Sequence, residues 1–188
     1  MLTCDDVLPF RPSRVLVCGV SGAGKTTLVT RMSRLLNLPR HELDALHHGP
    51  EWTPRPEFLD DVRAFAASER WVTEWQYTSK GVSEILPPRA DLCVWLDYPD
   101  RLVRARLWRR TLARSILRRE LWNGNREPNI WRLATTTAPE ENVLRWQTKT
   151  RDVWRERMPG HEARFPHLRF VRLGDPTETE RWLGRLGR

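Results

Sequence analysis

The stretch Gly19-Val20-Ser21-Gly22-Ala23-Gly24-Lys25-Thr26 restricts this chain more than any other. It matches the pattern G-x-x-x-x-G-K-[ST]. Val15, Leu16, Val17 and Cys18 before it read as a short buried strand, and the residues after it read as a helix. Gly19, Gly22 and Gly24 permit backbone angles that turn successive N–H groups toward a phosphate. The positive end of the helix beginning near Lys25 faces the same anion. The residues expected to contact phosphate are Gly19, Ser21, Gly22, Ala23, Gly24, Lys25, Thr26 and Thr27. Lys25 can reach β- and γ-phosphates, and the Thr26 hydroxyl can ligate Mg²⁺. The competing reading is a glycine-rich turn that binds nothing; the complete motif in its strand–loop–helix setting argues against it.

Charge and cysteine usage narrow the class. The chain has 188 residues, a length suited to one domain, 1–188, with a core that needs no staples. Its formal net charge is +8, and Lys25, Lys80 and Lys149 are its only lysines, so arginine carries the excess. That balance implies polyanionic ligands, nucleotide phosphates or nucleic acid, against the alternative of a merely solvated basic face. Cys4, Cys18 and Cys93 are scattered and read as small buried hydrophobes in a reducing compartment. No apolar run is long enough to span a bilayer and no secretory segment is evident, so a cytoplasmic protein is the expectation; a monomer is the default, on which the residues themselves are silent.

Residues 1–13 read as a loose leader. Strand candidates follow at Val15–Cys18, His41–Leu46, Trp71–Trp75, Leu92–Leu96 and Leu168–Leu173, with helical patterns between them and no hairpin signals. Phe58, Leu59, Val62, Phe65 and Ala66 recur at helical spacing. A helix is expected from Asp100 to about Leu121, then a loop over 122–137. Thr137-Ala138-Pro139-Glu140 has capping-box spacing ahead of a helix bearing Val143, Trp146, Val153 and Trp154. Asp175 is placed to cap a final helix. Alternating strands and helices predict an α/β fold of three layers, a parallel sheet covered on both faces. Ligands collect at the carboxyl ends of such strands, which draws attention to Asp44, Glu74, Asp97 and Gly174.

Phosphoryl transfer needs a metal in register, neutralised γ-phosphate charge and an oriented acceptor. Asp44 is a candidate acceptor-side carboxylate or base, and Glu74 a candidate Mg²⁺ holder through water. Asp97 resembles the acid at the end of a second apolar strand, but a cap for the helix beginning near Pro99 is the preferred reading. Asp44 as a solvated acid and Glu74 as an arginine partner remain alternatives. Arg106, Arg110, Arg114 and Arg118 repeat every four residues and share one helical face. A lid that brings Arg106 and Arg110 onto the transferring phosphate is one reading, and a nucleic-acid-facing basic helix is the other. His47-His48 lacks a third ligand at metal spacing. Trp52, Trp75, Trp122 and Trp131 could stack on a base or fill the core.

These residues resemble the adenylate-kinase-like P-loop kinases, and within them the DNA topology modulation proteins. Leu43-Asp44-Ala45-Leu46 with Trp52-Thr53 is similar to an acceptor-side segment. Trp71 to Tyr77 is similar to a strand ending Asp-Gly-Asn-Tyr, with Glu74, Trp75 and Gln76 as departures. Leu96-Asp97-Tyr98-Pro99 followed by Arg106 and Arg110 is similar to the strand–helix junction and lid arginines of adenylate kinases. Glu120 to Glu127 looks like a stretch peculiar to the topology-modulation group. The resemblance implies a five-stranded sheet of order 2-3-1-4-5, an arginine-rich lid over about 104–137, and an adenine contact near Leu173, Gly174 and Asp175. It implies γ-phosphoryl transfer from ATP, with Mg²⁺, to a small-molecule acceptor, in which Lys25, Asp44, Arg106 and Arg110 act and Thr26 and Glu74 hold the metal. A nucleic-acid-associated NTP-binding protein and a plain ATPase are the competing classes.

Overall fold

Val15 to Cys18 are wholly shielded from solvent, and the sheet is built outward from them. They belong to β1 (Arg14–Gly19), which pairs in parallel with β3 (Trp71–Glu74) on one side and β4 (Leu92–Leu96) on the other. β2 (Arg40–His41) extends the β3 edge and β5 (Arg169–Leu173) the β4 edge, all in parallel. The order is therefore 2-3-1-4-5, as expected. The computed structural model describes residues 1–117, 122–125 and 152–186. The expected capping box at Thr137, the stripe residues Val143 and Trp146, and Trp131 lie outside them.

Strand alternation sends successive side chains to opposite faces, and both faces are covered. Val15, Val17, Val94 and Val171 pack with Leu28, Met32 and Leu36 of α1 (Lys25–Leu36) and Trp182 and Leu183 of α6 (Pro176–Leu186). Leu16, Cys18, Cys93 and Trp95 pack on the other face with Val62 and Phe65 of α3 (Phe58–Ala66) and Met158 of α5 (Val153–Arg164). α4 (Asp100–Leu117) follows β4. The three cysteines are free and buried. Among the described residues no helix is long and apolar enough to cross a membrane.

Two expectations fail. His41–Leu46 is not one extended segment: β2 spans only Arg40–His41, and α2 (Leu43–His47) follows. Leu-Asp-Ala-Leu holds no β-branched residue and favours helix, and the Asp44 charge suits the first turn. The leader is not loose at its start. The Leu2 amide donates to the Phe170 carbonyl at 2.7 Å, and the Arg172 amide to the Leu2 carbonyl at 2.9 Å. Cys4 is buried behind this bridge.

Candidate active site

The loop between β1 and α1 holds its shape through close approaches that exclude side chains. A Cβ on Gly19 would lie 2.8 Å from the Leu96 carbonyl oxygen, and one on Gly22 2.8 Å from that of Val103. Their φ angles of +142° and +91° are strained for any residue with a Cβ. Gly24, the N-cap residue of α1, provides no side-chain cap, and the first turn contains no acid. The first amides of α1 are thus left for an external anion.

A cleft of 570 Å³ opens over this loop. Ser21, Gly22, Ala23, Gly24, Lys25, Thr26 and Thr27 line it, and so do Asp44, Glu74, Arg106 and Arg110. Of the loop residues expected to contact phosphate, Gly19 alone falls outside this lining and sits at the root of the loop.

Thr26 and Glu74 are 48 positions apart, and the parallel pairing of β1 with β3 brings them together. The Thr26 hydroxyl donates to Glu74 Oε1 at 2.6 Å, and the Gln76 amide donates to Oε2 at 2.8 Å. Lys25 Nζ donates to the Val20 carbonyl at 3.3 Å and lies 3.9 Å from Glu74 Oε2. The two charged side chains are only 11% and 13% exposed, which strengthens their field on anything entering the cleft. Adjacent hydroxyl and carboxylate oxygens are the hard donors that Mg²⁺ prefers, so the pair fits that ion.

Asp44 is held from the β3 side. The hydroxyl of Tyr77 donates to Asp44 Oδ1 at 2.7 Å and lies 3.0 Å from His48 Nε2. Tyr77 adopts a left-handed backbone, φ 53°, just beyond the strand. Its ring stacks on His47 at 4.3 Å. Burial, reinforced by the Asp44 charge, pushes the phenol far above its ordinary pKa, so it remains a donor. Burial also lowers His47 to about 4, with help from the Lys80 charge, whose Nζ lies 2.8 Å from His47 Nε2. Both histidines are thus structural partners of the Asp44 wall. No cluster fit to hold a metal through three His, Cys, Asp or Glu side chains occurs among the described residues.

On the β4 side, Arg106 donates to the Ala23 carbonyl at 3.4 Å and lies 5.4 Å over the Tyr98 ring. The Tyr98 hydroxyl is 2.5 Å from that of Thr179 in α6. Arg31 of α1 pairs with Glu180 through Nη2 and Oε2 at 2.7 Å. Tyr98, Thr179, Arg31 and Glu180 all line the cleft. Of these, Arg31, Thr179 and Glu180 were not singled out in the sequence, where the one available pointer was the general rule about strand ends. Asp175 caps α6 as expected, accepting from the Glu178 amide at 2.9 Å. Expectations for Arg114 and Arg118 fall outside the described side chains, as does much of the 104–137 lid.

Asp97 takes a role different from those anticipated. It neither caps α4 nor lines the cleft. Arg155 Nε donates to its Oδ1 at 2.8 Å, and Arg172 donates to its Oδ2 through Nε at 2.9 Å and Nη2 at 2.5 Å. Trp75 takes the second of its two expected roles and fills the core: being next to Glu74, it points to the opposite face. It is 1% exposed, and its indole N–H donates to Ser83 Oγ at 3.2 Å. Trp122 does line the cleft, its N–H donating to Glu42 Oε2 at 2.8 Å.

Solved structures share this architecture. A gluconokinase from Sinorhizobium meliloti 1021 is 20% identical, with a TM-score of 0.52 over 95% of this chain and 93% of its own. A shikimate kinase from Acinetobacter baumannii in complex with shikimate is 18% identical, with a TM-score of 0.49 over 85% of this chain and 82% of its own. No family model matches the chain, and no curated protein does. With the strand order above, the likeness establishes the P-loop kinase fold.

Proposed function

We propose that this protein is a phosphotransferase that moves the γ-phosphoryl group of ATP to a small-molecule acceptor. One observation carries the reading: Thr26, Lys25 and Glu74 converge at the mouth of a glycine loop whose helix end is uncapped. The solved gluconokinase that shares this fold supports the same class of reaction.

In this reading the loop amides and Lys25 grip the β- and γ-phosphates. Thr26 and Glu74 would hold Mg²⁺, which supplies neutralising charge to those oxygens when bound. Asp44 orients the acceptor hydroxyl and takes its proton. The acceptor oxygen bonds to the γ-phosphorus as the bond to the β-phosphate oxygen breaks, and ADP leaves. Arg106 and Arg110 stabilise charge on the transferring group, carried by a lid that shuts out water. Tyr98 and Thr179 border the place an adenine ring would take.

The finer assignment is to the DNA topology modulation group of adenylate-kinase-like proteins. It is supported by the way the Trp122–Asn125 segment docks on the acceptor side. Asn123 donates to the Ala45 carbonyl at 3.2 Å and Asn125 to that of Gly49 at 2.8 Å. Three buried free thiols support a reducing, cytoplasmic setting.

A second reading has one observation in its favour. Trp108 is 56% exposed on α4 and is flanked by the exposed Arg104 and Arg109, a surface suited to nucleic acid. The two readings separate on incubation with labelled ATP and a panel of nucleotides, nucleosides and small alcohols. A labelled small-molecule product supports the kinase. Salt-sensitive binding to single strands with no such product supports the alternative.

A further inference from the structure

A second cavity, of 400 Å³, adjoins the nucleotide cleft between the exit of β3 and α5. Ser21, Lys25 and Gln76 line both hollows, so the loop lysine stands where they meet. Phosphoryl transfer needs donor and acceptor to meet at that position.

The walls of the second cavity are chemically distinctive. α5 contributes Val153, Trp154, Arg157 and His161, spaced so that they share one helical face. Trp75 lies behind them, its ring 5.3 Å from that of Trp154 and 4.5 Å from that of His161. Tyr77 also lines the cavity, and its hydroxyl holds Asp44, so the carboxylate lies one side chain away.

Arg157 is the unusual member. On the same helix Arg155 is paired with Asp97 and Arg164 with Glu84. Arg157 has no hydrogen bond or ion pair among the described residues, yet it borders an aromatic cavity. Burial, with the charges of Arg157 and Arg164, holds His161 below its ordinary pKa. Arg157 is then the positive charge that α5 offers at neutral pH.

We propose that this cavity is the acceptor subsite, and that it takes a flat-ring compound bearing one acidic group. The ring lies against Trp154 and Tyr77, the acid meets Arg157, and the reacting hydroxyl points toward Lys25 and Asp44. A guanidinium binds carboxylate or phosphate oxygens in pairs, and aromatic walls favour a ring face over an open-chain polyol. The assignment rests on the kinase reading above and adds the acceptor's chemical class to it.

Calorimetric titration of the full chain, saturated with Mg²⁺ and a non-hydrolysable ATP analogue, tests it. The probes are AMP and UMP (ring with phosphate), 4-hydroxybenzoate (ring with carboxylate), adenosine (ring without acid) and gluconate (acid without ring). At least one ring acid should bind, more tightly than adenosine and gluconate. Arg157→Gln, at an exposed position, should weaken it tenfold or more, and Trp154→Ala comparably, with analogue affinity changed less than twofold. Retained analogue binding with no ring acid bound would overturn this proposal alone. So would gluconate binding as tightly as the best ring acid, or a ring acid indifferent to Arg157→Gln. If the analogue itself failed to bind, the kinase reading would fall and this proposal with it.

Discussion

The hydroxyl of Tyr77 donates to Asp44 at 2.7 Å and so ties the exit of β3 to the first turn of α2. The bond occupies Asp44 Oδ1 and, in the proposed reading, leaves Oδ2 for an acceptor hydroxyl. Tyr77→Phe keeps the ring that stacks on His47 and deletes only the donor. We expect turnover to fall about tenfold for want of a positioned carboxylate, with a stability loss of only about 1 kcal/mol. Comparison of kcat with the thermal midpoint checks this. An unchanged kcat would show that Asp44 needs no such support.

Glu74 is expected to act through the metal. Glu74→Gln should raise the Mg²⁺ concentration for half-maximal activity by roughly 10-fold or more. Analogue binding measured without Mg²⁺ should be nearly unaffected. A magnesium requirement identical to that of the parent protein would remove Glu74 from the metal site.

Asp97 gives the opposite pattern. It is buried, and its two arginines are 44% and 54% exposed, so solvent screening trims the worth of each pair. Asp97→Asn should cost about 1–2 kcal/mol of stability. Nucleotide affinity and magnesium requirement should stay as they are, as measured by denaturant unfolding beside calorimetry. A metal-binding defect in this variant would instead restore Asp97 to the chemistry.

How far such features can be read from sequence depends on how local they are. The loop, β1, β4, α3 and the Asp175 cap rest on neighbouring residues and were legible. The fate of Asp97 was not, since its partners lie 58 and 75 positions away and only folding brings them near. Asp44 stood out as a candidate and lines the cleft, but its element was misread because a two-residue edge strand leaves almost no periodicity. The direction of Trp75 follows from its neighbour: once Glu74 faces the nucleotide, alternation sends the indole inward.

The histidine beneath Tyr77 sets a pH limit on the fold. His47 titrates near 4 in the native state, below the ordinary 6.5 of an unfolded histidine. The unfolded chain therefore takes up the proton first as pH falls. Its stabilising contribution is complete above pH 6.5 and declines down to about 4, a loss on the order of 3 kcal/mol. His47→Gln should be less stable at pH 7.5 and should lose less on acidification across that window. Equal acid sensitivity of variant and parent would contradict the assignment.

Calorimetry of ATP binding, with its non-hydrolysable analogue and millimolar Mg²⁺, bears most directly on the central claim that amides and one ammonium form a triphosphate grip. The account predicts saturable heat from the parent chain, and at least a hundredfold weaker binding by a folded Lys25→Ala variant. No heat from the parent chain, or equal affinity in the two, would contradict it.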